Sequence, residues 1–315
     1  MSGKYFSVRQ SCPACGNSHS KTIYSKNYLS SPVKEFLESF YTSQGIIEFE
    51  YLEDTVFQLQ ECTACGNIYQ KEVPNDFLAR KLYCEWISPE LARRTEVEEK
   101  GESFAYKYAR EIEMIISFLR KKPAQIKMLD YGMGWGLWCI EANKAGCNCF
   151  GTELSEERIS HAKSQGVKTI SWDEIPGGGF DFINTEQVFE HISNPLKTLL
   201  HLKKGLSKAG LIKISVPDGS DIKRRLRIED WQAPKGSNNS LNPVSPLEHI
   251  NCFTWSSVLK MAEAAGLEEV KVPLIIQLPH LLTFKTPHGF ISCLLTILRR
   301  NLLFTEIYVF LRERK

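Results

Sequence analysis

The hydrophobic pattern changes period along this chain. Over 97–120 it places Phe104, Tyr108, Ile112, Ile115 and Leu119 at three- and four-residue spacing, the stripe of a helix packed on a core. Lys121-Lys122-Pro123 ends that helix. Short apolar runs then take over, and 126–129, 147–152, 167–171, 180–184 and 211–216 read as buried strands. Helical segments separate them. One covers 137–144, and a second is N-capped by Ser155, carries Glu156 and Glu157 in its first turn and runs to about Ser164. A third opens at Asn194-Pro195 and ends near Ala209-Gly210. Strands alternating with helices predict an α/β fold, a parallel sheet covered on both faces. Ahead of this region the pattern predicts a helix at 32–41, strands around 46–51 and 55–60, and a charged connector with helical pieces from 67 to 100. Beyond it, 268–276 and 305–311 are expected as two antiparallel edge strands that bring the sheet to seven, with an apolar helix around 290–298.

The stretch 126–155, IKMLDYGMGWGLWCIEANKAGCNCFGTELS, concentrates the chemistry. A strand ends on Asp130, and Gly132, Gly134 and Gly136 follow at alternate positions before a helix begins. Glycines there let the backbone turn sharply and approach a ligand with no Cβ in the way. The helix behind them points its N-terminal amides at the same spot. The next strand ends on Glu153, roughly 20 residues on, where a carboxylate holds a ribose diol in nucleotide-binding βαβ units. A dinucleotide site uses G-x-G-x-x-G, but the spacing here is G-x-G-x-G with Asp130 ahead of it. That carboxylate would repel a pyrophosphate and suits an ammonium group.

D-x-G-x-G-x-G resembles motif I of the class I S-adenosylmethionine (SAM) methyltransferases, and Glu153 resembles their motif II acid. The resemblance implies a Rossmann-like seven-stranded methyltransferase sheet. It also implies SAM contacts from Asp130, Gly132, Gly134, Gly136, Glu153, Leu154, Trp172, Asp173, Glu186 and Gln187, with Trp172 and Asp173 near the adenine. FDFINTEQVFEHISNPLKTLLHLKKGLSKAGLIKISVPD and PLEHINCFTWSSVLKMAEAAG are similar to the ubiquinone-biosynthesis-type (UbiG/UbiE-like) branch. Cys knuckles ahead of such a domain resemble those of bacterial methyltransferases acting on sugars or surface-glycan precursors.

The ten cysteines include two C-x-x-C-G pairs, Cys12/Cys15 and Cys62/Cys65. Two residues between thiolates, then Gly, let a tight turn aim both sulfurs at one cation. Two such knuckles complete a Cys₄ zinc site. Four thiolates leave no open position, so the zinc is expected to be structural in a zinc-ribbon-like module. A redox C-x-x-C is the rival reading. The expected organisation is a zinc-binding module over 1–75, a helical connector over 76–122 and a SAM-dependent methyltransferase domain over 123–315. Its Gly-, Ser-, Asn- and Pro-rich segment 234–246 reads as a mobile loop within a lid at about 218–255.

Methyl transfer from a sulfonium needs an aligned nucleophile, excluded water and often a base. His191 follows the fourth strand at the C-terminal edge of the sheet, where ligands bind in open α/β folds. His249 is the second candidate base. Each has a plain structural alternative, as a packing or loop-bonding histidine. The basic run Lys223-Arg224-Arg225-Leu226-Arg227 offers a place for a phosphate or carboxylate of a phosphorylated or nucleotide-linked acceptor, against the simpler reading of a solvated helix face.

Net charge of +2 implies no polyanionic partner. A nucleic-acid methyltransferase is disfavoured further, because the fourth strand ends in Asn184-Thr-Glu-Gln187 and not in an Asn/Asp-Pro-Pro-aromatic segment. A non-catalytic SAM-binding protein is the third reading. No charged-then-apolar leader and no apolar run near 18 residues is seen, so a cytoplasmic protein is expected, with peripheral membrane contact by 290–298 as a minor reading.

Overall fold

The computed structural model describes residues 4–42, 44–281 and 307–314. The helix expected at 290–298 lies outside them. The chain divides into two compact units, neither continuous in sequence. One comprises Met1–Ala92, Phe189–Leu196 and Pro217–Ala264; the other comprises Arg93–Val188, Lys197–Val216 and Ala265–Lys315.

The N-terminal part supplies strands β1 (Phe6–Val8), β2 (Ser20–Asn27), β3 (Val56–Cys62), β4 (Ile68–Gln70) and β5 (Glu72–Pro74), with helices α1 (Val33–Thr42), α2 (Asp76–Lys81) and α3 (Pro89–Arg93). Further on come α4 (Gly101–Leu119), β6 (Lys127–Tyr131), α5 (Leu137–Lys144), β7 (Asn148–Thr152), α6 (Glu156–Ser164), β8 (Lys168–Thr169), β9 (Phe180–Asn184), α7 (Pro195–Lys203) and β10 (Leu206–Val216). The remainder holds α8 (Ile222–Ile228), β11 (Asn251–Cys252), α9 (Trp255–Ala264), β12 (Leu267–Val270), α10 (Leu274–Leu281) and β13 (Ile307–Glu313).

The second unit is built on a seven-stranded sheet of order β12-β13-β10-β9-β6-β7-β8. β6, β7, β8, β9 and β10 run parallel, as the buried apolar runs require. β13 is antiparallel to both β10 and β12. The two strands expected at 268–276 and 305–311 are β12 and β13, antiparallel to each other, and they complete the seven; β13 alone is reversed against the parallel strands, and it lies inside the sheet. β12 at the edge keeps the parallel direction. Helix replaces the expected extension of β12, because Pro273 accepts the first bonds of α10 at its carbonyl. The stripe of α4 packs as read, with Ile112 and Ile115 fully buried beside Met128, Trp138, Phe182 and Phe310. Arg120, with φ of 53°, ends that helix in a left-handed turn.

The first unit holds a four-stranded sheet of order β11-β4-β3-β2 and the β1–β5 pair. β4 and β5 fall where a connector with helical pieces was expected, because three-residue strands are too short to show an alternating pattern. The strand expected at 46–51 is a 3₁₀ turn at Phe49–Leu52, where Tyr51 packs against Tyr5 and Phe77 and has no strand to pair with. Tyr28, Leu37, Tyr41, Phe57 and Trp86 form a core with Ile222, Trp231, Leu241 and Val244. So the second half of 234–246, from Ser240 on, is packed. Burying Leu241 and Val244 stabilises its docking by about 1.5–3 kcal/mol each. Among the described residues no helix is long and apolar enough to cross a membrane.

Candidate functional site

The turn after β6 is shaped by positive φ at Gly132 (74°), Gly134 (54°) and Gly136 (81°). Each glycine serves a different purpose. A Cβ on Gly132 would meet Val188 Cγ2 at 2.8 Å, and one on Gly136 would meet Ala162 Cβ at 2.9 Å. Those two glycines permit close packing. A Cβ on Gly134 would meet nothing within 4 Å, so the backbone there faces open space. The amides of Gly132 and Met133 bond the Thr152 carbonyl, tying the loop to the end of β7.

Glu153 lies directly beside this opening. One carboxylate oxygen accepts the Gly134 amide at 3.0 Å, and the other accepts those of Leu154 at 2.7 Å and Ser155 at 3.2 Å. Leu154 is 97% exposed, an apolar side chain with nothing over it. Asp130 is buried and accepts the Asn184 amide group at 2.7 Å. Burial pushes its pKa up to about 7, against the Asn184 bond. Trp172 stacks on His201 at 3.7 Å, and its neighbour Asp173 is exposed.

Glu186 and Gln187 leave the end of β9 differently. Glu186 bonds Lys107 at 2.9 Å and Lys213 at 2.8 Å. Burial opposes its charge, yet the two lysines outweigh burial and hold it below the ordinary carboxylate range. Gln187 takes φ of 54° and donates its amide to Ser215. The sequence reading did not single out the centre of this network. Lys213, fully buried on β10, also pairs with Glu111 of α4, which accepts from Trp138 and Tyr308 as well. Its only signal was a charge inside the apolar run LIKISV.

In the other unit, His191 and His249 meet edge to face with ring centroids 4.8 Å apart. Nδ1 of His191 lies 3.0 Å from the Glu248 carbonyl and 3.2 Å from the Tyr83 hydroxyl. Nδ1 of His249 bonds the Asn242 carbonyl. A carbonyl can only accept, so each ring carries its proton on Nδ1 and presents Nε2 as the basic nitrogen. Burial, then the neighbouring His191, hold His249 neutral, well below the ordinary histidine pKa. Beside them the Glu248 carboxyl accepts the Tyr41 hydroxyl at 2.9 Å, and burial raises its pKa to about 7. Tyr41, Tyr83 and Glu248 carried no recognisable spacing in the sequence.

The basic run sits on α8, and three of its cations are already engaged. Lys223 bonds Glu61, Arg224 bonds Asp221, Asn238 and Asn239, and Arg225 bonds the Ser240 carbonyl. These contacts pin the 234–246 segment, a use that nearby acids and carbonyls impose and a free anion-binding face does not share.

The four knuckle cysteines come together. Cys12 and Cys65 sulfurs lie 3.5 Å apart and those of Cys15 and Cys62 3.6 Å apart, with all four within 4.8 Å of one another. A disulfide needs about 2.05 Å, whereas the edge of a tetrahedron with metal–sulfur bonds of about 2.3 Å is roughly 3.8 Å. The donor set fits a tetrahedral metal. Both knuckles fold alike: Gly16 and Gly66 take φ of 77° and 73°, and each donates its amide to the first cysteine's carbonyl. A hydrogen bond from Cys65, with amides of Ala14 and Cys15, draws the Cys12 pKa down to about 5 against burial.

A methyltransferase-domain family model matches residues 104–272, more than half of the 315 residues. The chain belongs to the methyltransferase-domain family. It is 25% identical over 166 residues to a ubiquinone biosynthesis O-methyltransferase of Idiomarina loihiensis. That match covers 46% of this chain and 63% of the relative's own length. A solved structure of the plantazolicin methyltransferase BamL, in complex with a triazolic desmethylPZN analog and SAH, superposes with a TM-score of 0.50 at 15% identity. The superposition covers 76% of this chain and 95% of that one, and it speaks for the fold. The methyltransferase match includes the glycine turn, Glu153, His191 and His249 and leaves out the thiol cluster.

Proposed function

We propose that this methyltransferase-domain protein transfers the methyl group of SAM to a small-molecule acceptor, with a sugar or glycan precursor as the specific candidate. The carrying observation is the Gly134 backbone, open to space and bonded to Glu153, with the uncovered Leu154 next to that acid and the buried Asp130 in the strand before the turn. Those groups match the parts of SAM in kind. A buried carboxylate suits the ammonium, an acid at the end of β7 suits the ribose hydroxyls, and an exposed apolar side chain suits one face of a base.

When bound, SAM supplies an electrophilic methyl on a sulfonium. The chain's own residues then hold its two ends, exclude water and manage the acceptor's proton. His191, with His249 in reserve, takes that proton on Nε2 from an oxygen or nitrogen acceptor, since each ring already holds a proton on Nδ1. Cys12, Cys15, Cys62 and Cys65 would hold one zinc, a cross-link with no open coordination position.

The test is transfer of tritiated methyl from SAM into cell-extract fractions separated into small molecules, glycan and nucleic acid. Label in a small-molecule or glycan fraction supports the reading. Label in nucleic acid would replace it, and tight SAM binding with no transfer into any fraction would make the protein a SAM sensor.

A further inference from the structure

Arg9 lies three residues before Cys12, and its guanidinium reaches the two segments that carry the histidines. Nη1 donates to the Ile250 carbonyl at 2.8 Å, and Nη2 donates to the Ser193 carbonyl at 2.9 Å. Longer contacts of 3.4 Å reach Gln70 and Ile192. One fork therefore holds the backbone two residues after His191 and one residue after His249. Asn251 reinforces it, donating to Phe189 at 2.9 Å and Ile192 at 2.7 Å on either side of His191.

The knuckles take part directly. The Pro13 carbonyl, inside the first knuckle, accepts the Leu196 amide at 3.2 Å. The Ala64 carbonyl, inside the second knuckle, accepts Lys260 Nζ at 2.7 Å. β11, which begins two residues after His249, pairs with β4, which begins three residues after Cys65. All these residues belong to the same compact unit.

Arg9 has an unusual electrostatic position. Its Nη atoms donate to carbonyl oxygens, and its buried Nε has no hydrogen-bond partner among the described residues. Burial pushes its pKa down to about 9, and the groups opposing that are Tyr69 and the Cys12 thiolate. Arg9 as a whole is half-buried, with its Nε shielded from water, and a nearby anion favours holding its charge there. Four thiolates around a divalent ion remain a net anion, and they are reached through the residues next to Arg9 in sequence.

We propose that the metal-loaded Cys₄ cluster positions the His191–His249 pair through Arg9, with Arg9 a positioning residue and a thiophilic divalent ion of the zinc type as the ligand. This rests on the thiol cluster holding a metal, and it stands whether or not either histidine is the base. The cluster's charge keeps the guanidinium in place, and the guanidinium fixes the two carbonyl segments.

The experiment uses the full chain, kept reduced, with zinc added or removed by a chelator. Backbone hydrogen exchange is followed peptide by peptide, and zinc affinity is measured by competition with a chromophoric chelator. In the wild-type protein, zinc removal should raise exchange at 189–196 and 249–252 while α1 (33–42) and β9 (180–184) stay protected. Arg9→Ala should weaken zinc binding by about 10–100-fold, the usual range for a residue supporting metal ligands. It should also raise exchange in the same two segments with zinc present. Arg9→Lys keeps the charge without the fork, so it should keep most of the zinc affinity and lose the protection.

Failure of the wild-type chain to bind zinc would overturn the proposal. So would unchanged exchange at 189–196 on zinc removal, or a uniform rise that includes α1, which would make the cluster a general brace. Neither readout uses methyl transfer, so a coupling seen here alongside normal transfer by His191→Ala would sink the base role alone.

Discussion

Lys213 of β10 and Glu111 of α4 form an ion pair of 2.9 Å with both side chains buried, and Lys213 is 0% exposed. The same ammonium reaches Glu186 at 2.8 Å. Removing one partner of a buried pair leaves an uncompensated charge, which costs about 3–5 kcal/mol. Lys213→Met leaves Glu111 without its cation and Glu186 with Lys107 alone, and is expected to lose stability in this range in urea denaturation. Adding Glu111→Gln should recover part of the loss, and additive losses would mean the two residues are not coupled.

In the proposed cofactor site Asp130 would bring a pH dependence. Folded, it keeps its proton to about pH 7; unfolded, it loses it near 3.8. The raised pKa means that its contribution to ligand-free stability is complete below 3.8 and is lost as pH rises through about 7. An ammonium ligand has the opposite preference, because it needs the carboxylate ionised. SAM affinity measured by calorimetry should therefore increase from pH 6 to pH 8. The Asp130→Asn variant should bind more weakly and show a flat profile; a wild-type slope in that variant would assign the dependence to another group.

Glu153→Ala removes the anchor of the Gly134, Leu154 and Ser155 amides and, in the proposed site, the acceptor for the ribose diol. Its SAM affinity should fall by about 1.5–3 kcal/mol. Gly134→Val should be more damaging, since φ of 54° strains a β-branched residue and its side chain enters the open space. Calorimetry showing unchanged affinity in both variants would refute the site.

One zinc per chain is expected by elemental analysis, bound through Cys12, Cys15, Cys62 and Cys65. A Cys62→Ala/Cys65→Ala double variant should carry none. Full retention of zinc by that variant would place the metal elsewhere.

If His191 is the base, His191→Ala should lower turnover by about 10²–10⁴-fold with SAM binding nearly intact. A smaller loss, seen mainly in KM, would give it a substrate-positioning role. Near wild-type turnover in both His191→Ala and His249→Ala would remove histidine base catalysis and leave alignment alone to carry the reaction.

The glycine turn and the two knuckles were legible because each is a local device. The strand end at Asp130, the left-handed glycines, the cap at Ser155 and the acid at Glu153 all lie within 30 consecutive residues. Gly16 and Gly66 likewise stand next to the cysteines they serve. Backbone conformation there is set by neighbouring residues, so sequence alone settles the turn and the kind of chemistry it offers.

Partner choice was decided only by the tertiary structure. Period-2 and period-3.6 patterns say which side of an element is buried, but they do not say against what. Nothing in 305–311 showed that β13 would enter between β10 and β12 and reverse direction there. Glu111 and Lys213 are 102 residues apart, and Arg9 and Ser193 are 184 apart. Nothing in the sequence marks Glu111, Lys213 or Arg9 with its partner. Burial makes an unpaired charge intolerable, and only the closed fold shows which distant group satisfies it.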